Sequence, residues 1–407
     1  MGRIFPGWRR AWFVVVTAVL WVASAPPVRA ATAGPPTPPS LSATAAVLVD
    51  GQTGQVLYSR NALQPLYPAS ITKIMTAYLA IRDGWTRTVR VSQAAQNQPG
   101  SSCYLRAGES LPMPAVVDCM MLVSGNDAAW AVAETVSGSV PAFVRLMNAT
   151  AQRWHAPGVH FTNPSGLPDP NHVVTALGMA VIAEHAMQNP IFRKVVALRT
   201  TTLPPDPKPR VYYNQNRLLY DFPGAVGIKL GYTVEADETI VAAAEQHGVL
   251  LIAVLLHDTP QGLWPDAEHL LRWGFTQFVP DPVVGPRTAL PALTLGSRAV
   301  PVAAGQTLVY LAPRGQTVAV RWRLDPTVPA TAPVRRGQTV GRLMVSVDGQ
   351  PLGAVPLVAA QTDPARPPAS WRWRDWPAAL ALAGLGIGWW GRRRRRRPRP
   401  WRIEAWP

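Results

Sequence analysis

Thirty-five arginines but only four lysines occur in the chain: Lys73, Lys194, Lys208 and Lys229. A protein that uses guanidinium for nearly all its positive charge has reason to keep lysine where an amine must lose its proton. Lys73 closes Ser70-Ile71-Thr72-Lys73 just after Pro68. On a helix, a spacing of three sets both side chains on one face, and a deprotonated amine beside a serine hydroxyl is a nucleophile with its base. With 16 serines present the pairing also arises by chance, so alone it is equally an ordinary helix start. Ser124-Gly125-Asn126 falls between two helical stretches, and in isolation it reads as a cap and turn. Lys229-Leu230-Gly231 lies on a predicted strand, where glycine would let a ligand approach the backbone closely.

The elements that must position these residues follow from periodicity. Thr44 to Asp50 and Gln55 to Arg60 form a hairpin around Gly51-Gln52-Thr53-Gly54. Helical patterns cover Ser70 to Arg82, Met113 to Leu122, Asp127 to Val136, Val140 to Trp154, and a stretch from the N-cap candidate Thr175 to Met187. Strands return at Ile228 to Thr233, Thr239 to Glu245 and Val249 to Leu256. Strands at both ends with helices between them predict one mixed sheet made from distant parts of the chain. Beyond Phe278 come short strands at Thr307 to Ala312, Thr317 to Leu324, Thr339 to Val347 and Leu352 to Val358, the pattern of a small all-β domain. It has neither His nor Cys and is assigned no chemistry.

Ser-x-x-Lys on a helix, Ser-x-Asn in a loop and a Lys-x-Gly strand, in that order, are the combination seen in penicillin-binding proteins and class A β-lactamases. The surrounding stretches "VDGQTGQVLYSRNALQPLYPASITKIMTAYLA", "MLVSGNDAAWAVAE", "FTNPSGLPDPNHVVT" and "GAVGIKLGYT" resemble the low-molecular-mass D-alanyl-D-alanine carboxypeptidases over roughly Leu41 to Phe278. The resemblance implies an α/β (α+β) fold of the β-lactamase/transpeptidase kind, an antiparallel sheet with helices, followed by a small all-β domain and a C-terminal membrane helix. It also implies catalytic Ser70, Lys73 and Ser124, substrate-binding Asn126, Lys229 and Gly231, and an oxyanion hole made by the backbone N–H groups of Ser70 and Tyr232. The implied partners are a peptidoglycan stem peptide, β-lactam antibiotics as covalent inhibitors, and a membrane; no cofactor, metal or nucleic acid is expected.

One position departs from the family pattern: Leu230 stands where the family has threonine. By the resemblance that hydroxyl helps hold the substrate carboxylate, so leucine would weaken turnover, and Leu230→Thr would raise it. A β-lactamase is the nearest enzyme alternative, but no Glu-x-x-x-Asn pattern lies between Asn126 and Lys229. A wall-binding protein with a decayed site, motivated by Leu230, is the alternative from another class.

The net charge of +16 would ordinarily raise nucleic acid as a partner. Residues 1–30 hold +4 and residues 366–407 hold +9, which leaves +3 for 31–365. Basicity confined to the ends reads as targeting and anchoring. Residues 1–30 combine basic residues, the apolar run Ala11 to Ala25 and Val28-Arg29-Ala30: a signal peptide cleaved after Ala30, or else an uncleaved anchor. The expected layout continues with the catalytic domain at 31–277, the β domain at 278–361, a linker at 362–375, an anchor helix at 376–391 and a basic cytoplasmic tail at 392–407. The apolar part, Pro377 to Trp390, is short for a span, so a helix lying in the interface is the other reading. Either way the body is exported and held at the outer face of the cytoplasmic membrane. In an exported chain a Cys103–Cys119 disulfide is permitted, although a buried thiol at Cys119 is as ordinary. Asn148-Ala149-Thr150 matches a glycosylation acceptor by accident of composition.

Overall fold

The computed structural model describes residues 37–203, 209–295, 298–328 and 333–363. The expected signal peptide, anchor helix and basic tail lie outside the described residues, as do Lys208 and all but two positions of the 362–375 linker. Among the described residues no helix is long and apolar enough to cross a membrane.

The hairpin forms as β1 (Ala45–Asp50) and β2 (Val56–Arg60). Three further strands, β3 (Ala225–Thr233), β4 (Asp237–Gln246) and β5 (Val249–Asp258), complete an antiparallel sheet in the order β2-β1-β5-β4-β3. The two ends of the segment thus meet side by side, with Leu48 opposite Ala253. The central strands read as nearly unbroken apolar runs because both sheet faces are covered. Successive side chains alternate between two cores. Val47, Val49, Val241, Ala243, Ile252 and Val254 join the larger one with α1 (Lys73–Gly84), α2 (Met113–Val123), α3 (Asn126–Ser137), α4 (Val140–Arg153) and α5 (Ala176–Met187). Leu48, Ile240, Ala242, Leu251 and Ala253 turn the other way, onto α6 (Leu263–Gln277).

Helix α6 is missing from the sequence reading, yet its buried positions Leu263, Ala267, Leu270, Leu271 and Gly274 recur at helical spacing. Each leucine removed from water there contributes about 1.5–3 kcal/mol. Thr175 caps α5 as expected, its hydroxyl accepting from Gly178 N at 3.0 Å. A two-stranded sheet, Thr88–Arg90 with Ser110–Pro112, and a small hairpin, Thr200–Leu203 with Arg210–Tyr213, are further elements that the sequence does not predict.

After α6 the described residues are all β. Phe278–Val284 pairs with Leu308–Pro313, and a four-stranded sheet runs Val302–Ala304, Gln350–Ala359, Thr339–Val347, Val320–Pro326 around its own apolar core. The Gln55 side chain joins the two parts, donating to Leu311 O at 2.9 Å and accepting from Leu311 N at 2.8 Å.

Candidate active site

The turn that carries Ser70 is not a simple helix start. Ala69–Thr72 form one 3-10 turn, and α1 begins at Lys73, so the Ser70–Lys73 pair spans the junction of two helix types. Ala69 enters this turn at φ +50°, a left-handed conformation that costs an L-residue roughly 1–2 kcal/mol. Its surroundings hold it there. A Cβ on Gly231 would lie 2.5 Å from Ser70 N, and one on Gly166 would lie 1.8 Å from Ala69 O, so two glycines press against the turn. Thr239, opposite Gly231 in the β3–β4 ladder, directs its hydroxyl to Pro68 O (2.9 Å) and Gly231 O (3.1 Å) and ties strand to turn.

Lys73 is fully buried, and its Nζ lies 2.9 Å from Ser70 Oγ, 2.7 Å from Asn126 Oδ1 and 2.7 Å from the backbone O of Ser165. The two oxygens of Asn126 and Ser165 can only accept. A neutral amine has two N–H groups and one lone pair; satisfying both acceptors leaves the lone pair for the Ser70 hydroxyl. Burial pushes the Lys73 pKa well below its ordinary value, the charge of Lys229 adds to the shift, and Asp127 opposes it. Lys229 is buried too, and burial brings its pKa down to about 7. Its Nζ donates to Leu230 O at 2.9 Å.

Ser124 and Asn126 come from the α2–α3 joint. Ser124 caps α2 in the left-handed conformation (φ 67°), and Asn126 opens α3. The Asn126 amide is fixed at both ends, because Nδ2 donates to Pro99 O at 2.7 Å while Oδ1 accepts from Lys73. Strand β3 is a sheet edge, so alternate backbone groups of its outer side face away from the ladder. Tyr232, whose N–H is the second expected oxyanion donor, is exposed on this strand one residue beyond Gly231.

Leu230 is placed otherwise than the sequence suggested. Lys229 pairs with Val241 of the larger core, whereas Leu230 pairs with Ile240 and packs half-buried into the smaller core near α6. A hydroxyl at 230 therefore starts from the sheet face opposite Lys229, and the direction of this side chain does not support the expected loss of a substrate hydrogen bond.

Several residues of the site carry no signature of their own. The Ser165 carbonyl is set by Asn163, whose Oδ1 accepts from the N–H groups of Ser165, Gly166 and Leu167 at 2.8–3.1 Å. His172 braces the same loop, with Nε2 3.0 Å from Thr72 Oγ1 and Nδ1 accepting from Thr162 N at 3.2 Å. Burial lowers its pKa to about 4, so it is neutral at physiological pH. All three lie in "FTNPSGLPDPNHVVT", a stretch used for the resemblance but given no chemical role. Cys103 and Cys119 form a disulfide. Asn148 is occupied internally, its amide donating to Phe161 O and accepting from Phe161 N. Among the described residues no group of three or more His, Cys, Asp or Glu could hold a metal ion.

An antiparallel sheet backed by helices, a buried lysine against a serine at a helix start and a second buried lysine on the edge strand define an active-serine acyl-transfer enzyme of the penicillin-binding class. Residues 31–259 match the family described as D-alanyl-D-alanine carboxypeptidase, and residues 291–365 match the penicillin-binding protein 5 C-terminal domain. The D-alanyl-D-alanine carboxypeptidase DacA of Haemophilus influenzae is 31% identical over 338 residues, covering 79% of this chain and 85% of that protein. DacF of Bacillus subtilis is 29% identical over 331 residues, covering 78% and 85%. The crystal structure of penicillin-binding protein 5 from H. influenzae superposes with a TM-score of 0.68 at 29% identity, covering 80% of this chain and 98% of that one. The chain belongs to the D-alanyl-D-alanine carboxypeptidase family, and it is a serine-type D-Ala-D-Ala carboxypeptidase.

Proposed function

We propose that Ser70 is the nucleophile, Lys73 its base, and the terminal D-Ala-D-Ala of a peptidoglycan stem pentapeptide the substrate. Ser70 Oγ attacks the carbonyl carbon between the two D-alanines, and its proton passes to Lys73 Nζ. The resulting oxyanion sits between the N–H groups of Ser70 and Tyr232, with the helix N-terminus adding its dipole. Ser124 relays a proton to the departing amine, the C–N bond breaks, and D-alanine leaves. Water then attacks the acyl-enzyme, Lys73 takes its proton, and Ser70 is regenerated as the shortened peptide departs. Asn126 hydrogen-bonds the acyl-side peptide, and Lys229 draws in the terminal carboxylate. A β-lactam follows the first half of this route, opening its ring amide onto Ser70.

The arrangement of Lys73 carries this reading: two acceptor-only oxygens take its N–H groups and its third direction meets Ser70 Oγ. Fluorescent penicillin should form a covalent adduct on Ser70, and the enzyme should release D-alanine from a defined pentapeptide. Lys73→Arg, which keeps the charge but cannot lose it, should abolish both. An adduct on another residue, or normal acylation by Lys73→Arg, would overturn the assignment.

We further propose that the enzyme works outside the cytoplasmic membrane and is tethered to it. The basic-apolar-small order of residues 1–30 supports export, and the Trp-flanked apolar stretch ahead of Arg392–Arg397 supports the tether.

A further inference from the structure

Asp127 follows Asn126 and is 1% exposed, yet no cation pairs with its carboxylate at salt-bridge distance among the described residues. Its oxygens instead hold one loop. Oδ1 accepts from Cys103 N at 2.8 Å, while Oδ2 accepts from Ser102 Oγ at 2.6 Å and from Leu105 N at 3.0 Å. Oδ1 also takes the N–H of Ala128 at 2.8 Å, so the carboxylate bridges helix α3 and the loop. The Cys103–Cys119 bond ties the same loop to α2. Contact at this joint is close, for a Cβ on Gly125 would sit 2.5 Å from Cys103 Sγ. The Tyr212 hydroxyl closes the other side, donating to Cys103 O at 2.6 Å.

What the loop returns to the site is two carbonyls. Ser101 O accepts from Asn126 N at 2.7 Å, and Pro99 O accepts from Asn126 Nδ2 at 2.7 Å. The second bond decides which way the amide faces. While Lys73 is an ammonium, its charge alone draws Oδ1 toward it. Once Lys73 is a free amine, the state needed for attack, it can donate to an amide oxygen or accept from an amide NH2, and the two orientations become comparable. A flipped amide would occupy the lone pair that must take the Ser70 proton. Its orientation in the reactive state therefore has to be set from outside the Ser70–Lys73 pair.

We propose that Asp127 is a positioning residue which, together with the Cys103–Cys119 disulfide, holds the 99–105 loop so that the Pro99 carbonyl keeps the Asn126 oxygen turned toward Lys73. The charged and titratable groups around Asp127 are Lys73, which feels its charge, Lys229 beyond it, and Tyr212 with the Arg210–Glu109 ion pair on the hairpin side. This rests on the Ser70–Lys73 assignment, whose failure would show separately as a missing Ser70 adduct in the unmodified enzyme.

The test is a double-mutant cycle read as the rate of acylation by fluorescent penicillin. Asp127→Asn should slow acylation about thirtyfold in the native background but less than about threefold when Asn126 is already alanine, because residues acting through one another are not additive. The acid limb of the pH profile should also move to lower pH in Asp127→Asn, since removing an anion lets Lys73 lose its proton more readily. That shift reports only the lost charge; a merely structural role would reduce the folded fraction by the same factor whether residue 126 is asparagine or alanine, so the dependence on Asn126 separates the two roles. Should Asp127→Asn not fold, the Cys103→Ser/Cys119→Ser variant takes its place: the same Asn126-dependent slowing is expected, with the acid limb unmoved because the carboxylate remains. Equal losses with and without Asn126, or no loss in the native background, would overturn the proposal.

Discussion

Substitution of Gly231 by alanine separates the oxyanion hole from the nucleophile more cleanly than any change to Ser70 or Lys73. The added methyl would lie 2.5 Å from Ser70 N, 2.9 Å from Thr239 Oγ1 and 3.1 Å from Ala69 Cβ. The first neighbour is backbone and cannot rotate away. Ordinary contact begins near 3.4 Å, so β3 and the turn must part by 0.9 Å (3.4 − 2.5). That is close to the ~1 Å misplacement which costs an enzyme about a hundredfold, and loss of one oxyanion donor alone costs about 10²–10³ in kcat. Overpacking should also lower stability by about 1–3 kcal/mol. We expect Gly231→Ala to be folded, to retain the Ser70–Lys73 contact, and to lose about a hundredfold in kcat on a D-Ala-D-Ala peptide. KM should change little, because the oxyanion exists only after attack. Acylation and hydrolysis within threefold of the unmodified enzyme would refute the close approach of β3 to Ser70 as the reason for glycine here.

The buried lysines make two pH effects measurable. Lys229, with a pKa of about 7, loses its ammonium as pH rises, so kcat/KM for a peptide with a free terminal carboxylate should fall above about 7, and a substrate lacking that carboxylate should not show this limb. Because both lysines are lowered from 10.5, the unfolded chain binds more protons than the folded one; their burial opposes folding at neutral pH, and stability should rise between pH 7 and 9.5. Denaturant midpoints at the two pH values would check this, with Lys229→Met reducing the rise. Leu230→Thr should cost about 1 kcal/mol by placing a hydroxyl in the smaller core and leave turnover within threefold; a clear gain in turnover would show that the hydroxyl reaches the substrate after all.

The groups whose chemistry depends on residue type were legible in the sequence. Residue type and spacing single out Ser70, Lys73, Ser124, Asn126 and Lys229, because the proposed nucleophile, base and cation each need a particular side chain, and the structure places Lys73 in direct contact with Ser70 and Asn126. Backbone groups were not legible. The carbonyls of Ser165 and Pro99 complete the lysine site, and a carbonyl leaves no trace in residue identity. Gly166 and Asn163 shape the turn through steric fit and side chain-to-backbone bonds, which only long-range packing reveals. For the fold, long apolar strands such as Val249–Asp258 announced themselves, while strands of three residues separated by about twenty positions, as in Thr88–Arg90 with Ser110–Pro112, offer too few residues for a period to register. Leu230 shows the converse: the family resemblance gives the position a role at the substrate, whereas strand alternation sets it on the sheet face opposite Lys229.

The disulfide beside Asn126 bears on how this enzyme should be prepared. Protein made in a reducing cytoplasm would carry an intact serine and lysine, bind its substrate, and still be sluggish, because the loop that presents Pro99 would have lost its covalent fastening. Low activity in such a preparation would then report on thiol chemistry during production and not on the competence of the nucleophile. Reoxidation before assay should recover the rate.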